Sequence, residues 1–468
     1  MHRSFVNHII EQDLKDDDDL KVVTRFAPEP NGFLHIGHLK TLVTNRDIAS
    51  LYRGKFILRY DDSNPVTSKI QYYEQIKGDL GWLAIDYDKT TYASDYFNVL
   101  TTDAIQLITQ NKAYVCGHSS DEISAMKGTL TTYGIASKYR TRSIAENIRL
   151  FKEMMEGRHD ANTLTLRAKI SMTAGNIHMR DPILYRIKHV VHPRTLRNHY
   201  VYPTYDFVHP LSDYYEHVSH SLCTREFVDH KDLYKWVLKN TKSTNSYPKQ
   251  IEYSRLVIEG IVTSKRTLIA ERKDLTDPKL YTIQGLRNRG LPSSSLVHFT
   301  RTLGISKQES IISLSDFRHV ILKQLHRTIK DKLSLILNPV ALQVMDSSNI
   351  IYVDKSDIAT ETDVTRTKVI RQDVVFGFIG SDKSYELINN NTLSICEGKP
   401  EFFVQHINNG KRVTVHDYSS DQPIIYNDAL IERNNLSAHV HCHAYRIGYL
   451  YKRSTDHYNI FLRLKNSI

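Results

Sequence analysis

Residues 21–62 constrain the fold more than any other part of this sequence. The alternating, β-branched stretch KVVTRF (21–26) runs into the breaker-rich APEPNG, and GHLKTLVTNRDIASLYRG then places apolar residues such as Leu39 along one helical face. KFILRYDD (55–62) is a second apolar strand. A strand, a helix and a strand in this order predict parallel strands joined by a right-handed crossover, which is half of a doubly wound sheet.

The turn before the helix is a candidate phosphate site. Ligands of such sheets bind beyond the carboxyl ends of the strands, where APEPNGFLHIGH and DDSNP both fall. The start of a helix exposes backbone N–H groups at the positive end of its dipole. His35 and His38 lie three apart in the first turn, so both can reach one phosphoryl oxygen, and Gly37 leaves room for a flat ring. Without this turn, the pair would indicate only a surface motif or half a metal site.

A second candidate is VTSKRTL (262–268), a small, flexible and basic stretch. Lys265, preceded by Thr263 and Ser264, is placed to neutralise a leaving pyrophosphate. When it stands alone, such a triplet is better explained as a solvated loop charge.

Bulk properties set the class of protein. A chain of 468 residues is expected to form several domains. A formal charge of +10 favours a polyanionic partner, although a mildly basic enzyme without one fits the charge as well. The four cysteines never form CxxC, so neither a disulfide framework nor a zinc site of cysteines is indicated. Without an apolar leader or membrane-length segment, the sequence predicts a cytoplasmic protein that contacts no membrane.

Longer motifs resemble a known family. PEPNGFLHIGHLKT and VTSKR look like the HIGH and KMSKS signatures of class I aminoacyl-tRNA synthetases. RYDDSNP, MRDPILYRIKH, YPTYDFVHPLSD, HSLCTREFVDH and TIQGLRNRG are similar to the glutaminyl-tRNA synthetases, block by block from residue 4 to about residue 310. The resemblance implies a monomer that uses ATP, with Mg2+ accompanying the nucleotide, to activate L-glutamine and transfer it to the terminal ribose of tRNA(Gln). It implies no protein-bound zinc.

The same resemblance implies an α/β multidomain fold with a Rossmann-type catalytic sheet, and the change of sequence texture gives its boundaries. Beyond about residue 340, short alternating strands split by Asn, Gly and Asp turns are typical of a barrel or sandwich. The expected segments are the first catalytic half (1–98), an acceptor-stem-binding insertion (99–204), the second catalytic half (205–260), a KMSKS-like loop with a helical domain (261–330) and a reduced β-barrel anticodon-binding region (331–468).

Site residues carry over position by position. The resemblance implies catalytic charge from His35, His38 and Lys265. The implied ATP contacts are Glu29, Pro30, Asn31, His35, Ile36, Gly37, His38, Leu39, Lys40, Thr41, Thr224, Arg255, Leu256, Thr263, Ser264 and Lys265. The implied glutamine contacts are Asp61, Tyr205, Arg25, Gln250 and Cys223, and the implied tRNA contacts are Leu130, Asp229 and Lys332. Asp61 suits an α-ammonium and the Tyr205 hydroxyl can accept from an amide, unless either is a structural partner of Arg25 or Arg59.

Departures from the family leave two alternatives open. Thr263 replaces the usual Met, the segment after Lys265 is short, and residues 331–468 are several tens of residues too few for two full barrels, so we expect one heavily trimmed barrel. A glutamyl-tRNA synthetase of the related subclass is one alternative. Cys223 argues against it, because the motif of that enzyme, ALRT, has an arginine suited to a carboxylate side chain. A catalytically inactive tRNA-binding protein is the other.

Three histidines, His439, His441 and His443, alternate on one predicted strand. The pattern is able to bind a transition metal, but alternation within a barrel strand explains it more simply. We therefore assign no metal site.

Overall fold

The computed structural model describes the chain from residue 4 to residue 463 with several gaps. The gaps are 197, 244–246, 262–273, 331, 334, 359–369, 371–375, 379–382, 390–391, 398–399, 401, 405–406, 408–409, 419–422, 433–440, 445–446 and 455. The chain divides into two compact units. The first comprises Met1–Ile269 and Thr300–Ile312, and the second Ala270–Phe299 and Ser313–Ile468. The finer five-part division given above stays a prediction.

The first unit alternates helices and strands. Its described helices are α1 (Phe5–Asp16), α2 (Ile36–Leu51), α3 (Ile70–Trp82), α4 (Phe97–Thr109), α5 (Ser120–Lys127), α6 (Ile144–Met155), α7 (Tyr205–Tyr215) and α8 (Lys231–Thr241). Its described strands are β1 (Val23–Phe26), β2 (Lys55–Tyr60), β3 (Lys89–Tyr92), β4 (Ala113–Cys116), β5 (Thr165–Ala168), β6 (Ile183–Val191), β7 (Asn198–Pro203), β8 (His220–Thr224), β9 (Lys249–Tyr253), β10 (Val257–Ile258) and β11 (Ile311–Ile312). Among the described helices, none is both long and apolar enough to cross a bilayer.

A parallel sheet carries the predicted strand, helix and strand unit. β1 pairs with β2 and β2 with β3, all parallel, and β8 pairs with β9 in the same way. The Ser219 N–H donates to the Val23 carbonyl at 3.1 Å, which places the start of β8 beside β1. The two halves therefore meet edge to edge, and the prediction of a doubly wound parallel sheet is confirmed.

An antiparallel sheet interrupts the parallel one. Strands β4 to β7 pair in sequence order between α4 and α7. Buried side chains of α4, this sheet, α7 and α8 form one core, so the inserted sheet packs on the helices of the second half. Its members include Leu100, Leu107, Leu166, Leu184, Phe207, Leu233 and Val237.

The second unit contains α9 (Ile283–Arg289), most of α10 (Ser293–Thr302) and α11 (Leu314–Thr328), followed by strands. These are β12 (Lys332–Leu333), β13 (Leu335–Ile336), β14 (Pro339–Val344), β15 (Ile350–Asp354), β16 (Phe376–Phe378), β17 (Ser384–Asn389), β18 (Thr392–Cys396), β19 (Phe402–Val404), β20 (Gly410–Asp417), β21 (Ile424–Glu432), β22 (His441–Ala444), β23 (Gly448–Lys452) and β24 (His457–Arg463).

Two curled sheets form the rest of this unit. One has the order β12-β22-β23-β24-β20-β21-β13, and its two edge strands are consecutive in the chain, so the sheet curls until both edges meet one stretch of backbone. The other has the order β15-β14-β18-β17-β16-β19, and a bridge from Tyr352 to Ile407 joins its edges. The predicted β-barrel class of this region is confirmed. Loss of part of one barrel stays a prediction.

Gly54 is required where α2 returns to the sheet. The Lys55 N–H donates to the Val22 carbonyl at 2.9 Å, so the loop after α2 passes close to the start of β1. A Cβ on Gly54 would lie only 2.0 Å from that carbonyl oxygen, and a backbone atom cannot move aside cheaply.

Two glycine substitutions should therefore have opposite effects. Gly54→Ala should lower the free energy of unfolding by about 1–3 kcal/mol because the new methyl group overlaps the backbone of Val22. Gly78→Ala should raise it by about 1 kcal/mol, because Gly78 lies within α3 with open space around its Cβ position and alanine is the better helix former. Urea unfolding midpoints would measure both. Equal midpoints would contradict the close approach at Gly54.

Candidate functional site

His35 and His38 form the amino-terminal cap of α2. His35 is the N-cap residue, and its Nδ1 accepts the Gly37 N–H at 3.1 Å. The His35 N–H in turn donates to Nδ1 of His38 at 3.1 Å. The two imidazole rings lie 3.7 Å apart between centroids with an angle of 33° between their planes. The predicted placement of both rings on one side of the first helical turn is thus what the structure shows.

This cap also fixes the protons of the two rings. Because Nδ1 of each histidine accepts a backbone N–H, the neutral ring carries its proton on Nε2. Each Nε2–H is then a hydrogen-bond donor at the positive end of the α2 dipole. Two such donors suit an oxyanion whose charge grows during a reaction.

Gly37 serves the cap directly. A Cβ on Gly37 would lie 2.9 Å from Nδ1 and Cε1 of His35 and 3.9 Å from the carbonyl oxygen of Leu256. The glycine therefore makes room for the imidazole of its own neighbour. This is a more specific reason than the space for a ligand ring that the sequence indicated.

The other described residues predicted to contact a nucleotide lie in α2, in the turn before it, at the end of β8 and just after β9. Ile36 and Leu39 are buried in α2, and the Thr41 carbonyl accepts from the side chain of Asn45. In the turn before α2, the Pro30 carbonyl accepts from the Lys69 N–H, and the Asn31 N–H donates to the Glu29 carbonyl. The Glu29 carboxylate accepts from the Thr67 hydroxyl at 2.6 Å. The Lys40 ammonium is bound to Oγ and the carbonyl of Ser254, and burial lowers its pKa to about 8. Thr224 bonds to Glu226, and Arg255 lies 3.8 Å from Glu309. Thr263, Ser264 and Lys265 lie outside the described residues.

A second group lies at the ends of β2 and β8. Tyr205, the first residue of α7, lies within electrostatic range of Arg25, Cys223 and Asp61. Burial raises the pKa of Asp61 to about 6, and the carboxyl group accepts from Ser63 at 2.9 Å. Burial also raises the pKa of the Cys223 thiol to about 12 and that of the Tyr205 hydroxyl well above its usual value, so both remain protonated. The structure thus brings four of the five predicted amino-acid contacts together.

Gln250 is held by its neighbours. Its amide nitrogen donates to the Phe227 carbonyl at 3.0 Å and to the Glu252 carboxylate at 3.2 Å. The Phe227 ring packs in turn against Tyr205, with 5.4 Å between ring centroids and 33° between planes. Gln250 therefore contacts the wall of the same pocket.

Asp213 in α7 and Glu216, the residue that follows this helix, neutralise the buried arginines. Asp213 accepts from Nε of Arg25 at 3.1 Å and from Arg59 at 2.5 Å, and Glu216 accepts from Arg59 at 2.6 Å. The charges of Arg25 and Arg59 are thus balanced by carboxylates other than Asp61, and the alternative of a structural pairing of Asp61 or Tyr205 with these arginines stays open. Sequence reasoning did not single out Asp213 and Glu216, although Tyr205, Asp213 and Glu216 follow helical spacing along one face.

The predicted RNA contacts lie apart from this pocket in sequence. Leu130 is 83% exposed at a turn in which the Thr129 N–H bonds to the Thr132 carbonyl. Asp229 is exposed in a short 3-10 helix, Arg225–His230. Lys332 lies in β12, but its side chain is outside the described residues.

Of the three alternating histidines His439, His441 and His443, the structure describes the side chain of His441. Nε2 of His441 lies 2.7 Å from the Gly290 carbonyl, which is a hydrogen-bonding distance. His439 and the side chain of His443 lie outside the described residues. Among the described residues, no group of three metal-ligating side chains comes together.

Comparison with known proteins assigns the family. Residues 21–327 match the family described as tRNA synthetases class I (E and Q), catalytic domain. The chain belongs to this family.

Curated class I relatives share much of the sequence. The chain is 43% identical over 350 residues to a glutamine–tRNA ligase of Clostridium kluyveri, covering 73% of this chain and 62% of that protein. It is 40% identical over 396 residues to the glutamine–tRNA ligase of Buchnera aphidicola, covering 77% and 69%. For the glutamine–tRNA ligase of Haemophilus ducreyi the identity is 44% over 347 residues, covering 73% and 62%. The chain thus spans less than two thirds of the Clostridium and Haemophilus proteins.

One solved class I structure also matches. A glutamate tRNA ligase from Elizabethkingia meningosepticum in complex with its amino acid aligns at 17% identity with a TM-score of 0.49, covering 66% of this chain and 70% of that one. A likeness of this size bears on neither fold nor substrate.

Asp61 and Asp62 should respond oppositely to the same substitution. Because the pKa of Asp61 is about 6 in the folded protein against an ordinary value of 3.8, its carboxyl favours folding below pH 3.8 and loses that contribution as the pH rises through 6. Asp61→Asn should therefore raise the thermal midpoint at pH 8, and the gain should vanish towards pH 4.

Asp62→Asn is the matched control. The buried Asp62 carboxylate accepts from the Ser94 N–H at 2.8 Å, the Ser94 hydroxyl at 2.7 Å and the Tyr73 hydroxyl at 3.0 Å. Its replacement should cost about 1.5–3 kcal/mol at pH 8. Destabilisation by both substitutions at pH 8 would show that Asp61 is a structural acceptor.

Proposed function

We propose that the protein is a glutamine–tRNA ligase, which activates L-glutamine with ATP and transfers it to the 3'-terminal ribose of tRNA(Gln). The proposal is carried by one juxtaposition. A pair of histidines whose donors suit a phosphate caps α2, while Asp61, just after β2, and Tyr205, the first residue of α7, lie within electrostatic range of each other and would form a pocket for an amino acid. The curated relatives named glutamine–tRNA ligase support the same reaction.

The charges of the pocket favour a neutral side chain. The positive charges of Arg25 and Arg59 are balanced by Asp213 and Glu216. Burial lowers the pKa of His209 to about 3, so this ring adds no charge. A glutamate side chain would therefore bury a carboxylate without an unbalanced cation, which is costly, whereas the glutamine amide can donate to the Tyr205 hydroxyl.

Asp61 would receive the α-ammonium of the substrate. A partly buried carboxyl group with a pKa near 6 gains a partner when a cation arrives, and the cation then holds it ionised. Burial makes the ionised Asp61 carboxylate unfavourable in the free protein, and the α-ammonium relieves this unfavourable charge when the amino acid binds. The Asp61 site thereby orients the substrate carboxylate towards the nucleotide.

The histidines would stabilise the transfer step. The glutamine carboxylate attacks the α-phosphate of ATP, pyrophosphate leaves, and negative charge moves onto oxygens that the Nε2–H donors of His35 and His38 can meet. Lys265 is proposed to neutralise the leaving pyrophosphate. Mg2+ enters with ATP as part of the substrate, and we assign it no protein ligand.

The RNA would approach the inserted sheet. A net charge of +10 favours a polyanion, and Leu130 is an exposed apolar side chain suited to unstacking a terminal base pair. Asp229 is an exposed acceptor suited to a base amino group, and Lys332 is proposed to contact the tRNA further along. A cytoplasmic, monomeric protein stays a prediction from the sequence.

The test is charging of unmodified tRNA(Gln) by the purified chain, with ATP and Mg2+ and with labelled glutamine and labelled glutamate in parallel. Charging with glutamine alone is expected. Charging with glutamate would replace the substrate assignment, and binding of the RNA without charging would leave an RNA-binding protein in place of an enzyme.

The KM for glutamine should depend on pH through Asp61. Below a pKa of about 6 the carboxyl group is protonated and cannot balance the α-ammonium, so KM should rise about tenfold for each pH unit below 6 and level off above it. Asp61→Asn should give a higher KM with no such slope. Initial-rate charging at saturating ATP and tRNA measures both, and an unchanged slope in the variant would assign the titration to another group.

His38→Ala should lower kcat/KM about 10²–10³-fold by removing one donor to the developing charge. It also removes the acceptor of the His35 N–H, so we expect a loss of about 1 kcal/mol in stability. The matched control is Ser143→Ala, which removes the N-cap acceptor of α6 in the inserted sheet region. A comparable loss of charging in both variants would mean that capping alone explains the effect.

A further inference from the structure

One short turn, Asn176–Arg180, contacts the surroundings of both predicted RNA contacts in the first unit. The Arg180 side chain is buried, and its Nη1 donates to the carbonyl groups of Thr129 and Thr132 at 2.9 and 2.8 Å. These two residues flank the turn that exposes Leu130. A single buried guanidinium group therefore holds the backbone of the turn that carries Leu130.

The other end of the turn holds the short helix that contains Asp229. The side-chain amide of Asn176 donates to the Asp229 carbonyl at 2.8 Å and to the Asp232 carboxylate at 3.2 Å. Its oxygen accepts the His178 N–H at 2.9 Å, which fixes the orientation of the amide. A displacement of the Asp229 backbone should therefore move Asn176 and the turn that it begins.

Between these ends, two histidines connect the turn to the amino-acid pocket. The ring of His178 lies over that of His230, with 4.0 Å between centroids and 40° between planes. Nδ1 of His230 lies 2.5 Å from Oδ1 of Asp206. Asp206 follows Tyr205 in the first turn of α7, and the Tyr205 and His230 rings meet edge to face at 6.4 Å.

We propose that the His178–His230 pair is a joint that couples RNA contact at Leu130 and Asp229 to the position of Tyr205 in the amino-acid pocket. The proposal rests on the function proposed above and adds two positioning residues to it. Every step from the RNA-facing residues to Tyr205 is a hydrogen bond, a ring contact or a peptide bond, so displacement at one end is transmitted through packed groups.

The two rings of the joint take up protons in sequence as the pH falls, His230 first. The hydrogen bond to Asp206 raises the pKa of His230, with Asp229 adding to the effect. Burial, then the charge of His230, lowers the pKa of His178, against the opposing influence of Asp206 and Asp229. Lys127 lowers the pKa of both rings, and Phe227 adds an uncharged ring at 6.1 Å from His230. A cationic ring packed against a neutral one is favourable, whereas acidification puts two like charges next to each other and should open the joint.

The test uses the full chain with His178→Ala and His178→Phe. At pH 7.5 the alanine variant loses the stack, so both the Kd for tRNA(Gln) and the KM for glutamine at saturating tRNA should rise by about fivefold or more. Phenylalanine keeps a ring packed against His230 and should stay within about twofold of the natural chain. At pH 5.5 both constants, the Kd for tRNA(Gln) and the KM for glutamine, should be about fivefold higher for the natural chain than for His178→Phe, because phenylalanine does not titrate.

His159→Ala is the matched control. His159 also bonds to a carboxylate of the insertion, at 3.1 Å from Glu153, but it makes no described contact with the turn Asn176–Arg180. It should change neither constant. Thermal midpoints of all variants separate misfolding from loss of coupling.

Two results would overturn the joint. A higher tRNA Kd in His178→Ala with an unchanged glutamine KM would show that His178 makes a local contact without coupling the two sites. Parallel pH profiles for the natural chain and His178→Phe would show that protonation of the histidine pair does not control either constant. A natural chain that neither binds nor charges tRNA(Gln) would overturn the proposed function together with the joint, whereas normal charging with unaffected variants would overturn the joint alone.

Discussion

The buried cluster of Arg25, Arg59, Asp213 and Glu216 is the interaction on which the rest of the catalytic unit depends. It joins β1 and β2 to α7 across 154 to 188 residues of sequence. Burial alone would raise the pKa of Asp213, but Arg25 and Arg59 hold it far below its usual range, so the carboxylate stays charged. Removing one member of such a cluster leaves an uncompensated charge in the core, which typically costs about 3–5 kcal/mol. The inserted sheet is therefore tolerated because charge pairing holds the two halves of the parallel sheet together around it.

The same cluster determines what the pocket can accept. Tyr205 begins the helix whose later turns carry Asp213 and Glu216, so the ion pairs that anchor α7 also set the position of the tyrosine hydroxyl. Because each arginine already has a carboxylate partner, the pocket presents polarity without net positive charge. The interactions that hold the fold together therefore also make a second buried carboxylate costly beside Tyr205.

Local signals in the sequence were sufficient for the elements but not for their long-range partners. The β-branched run, the breaker-rich turn and the apolar helical face predicted β1, α2 and β2, because each of these signals acts within a few residues. The partners of Arg25 and Arg59 were missed because a charged helical face is ordinarily solvated, and only the folded chain shows that this one is buried. Lys40 was expected to contact a nucleotide. Its hydrogen bond to Ser254 could not be predicted from residue spacing, because the two residues are 214 positions apart in the sequence.

The cap of α2 shows how a structural role and a chemical role can be combined in the same two side chains. Serine, threonine, aspartate and asparagine are the preferred N-cap residues, so a chain that needed only a helix start would have little reason to use histidine. Histidine differs from them in having a second ring nitrogen. When Nδ1 of His35 and of His38 accepts a backbone N–H, the fold itself assigns the proton to Nε2, and no further residue is needed to select the tautomer. Histidine at these two positions thus caps the helix and, in the same side chain, presents an N–H group on Nε2, which none of the preferred N-cap residues combines with a ring acceptor.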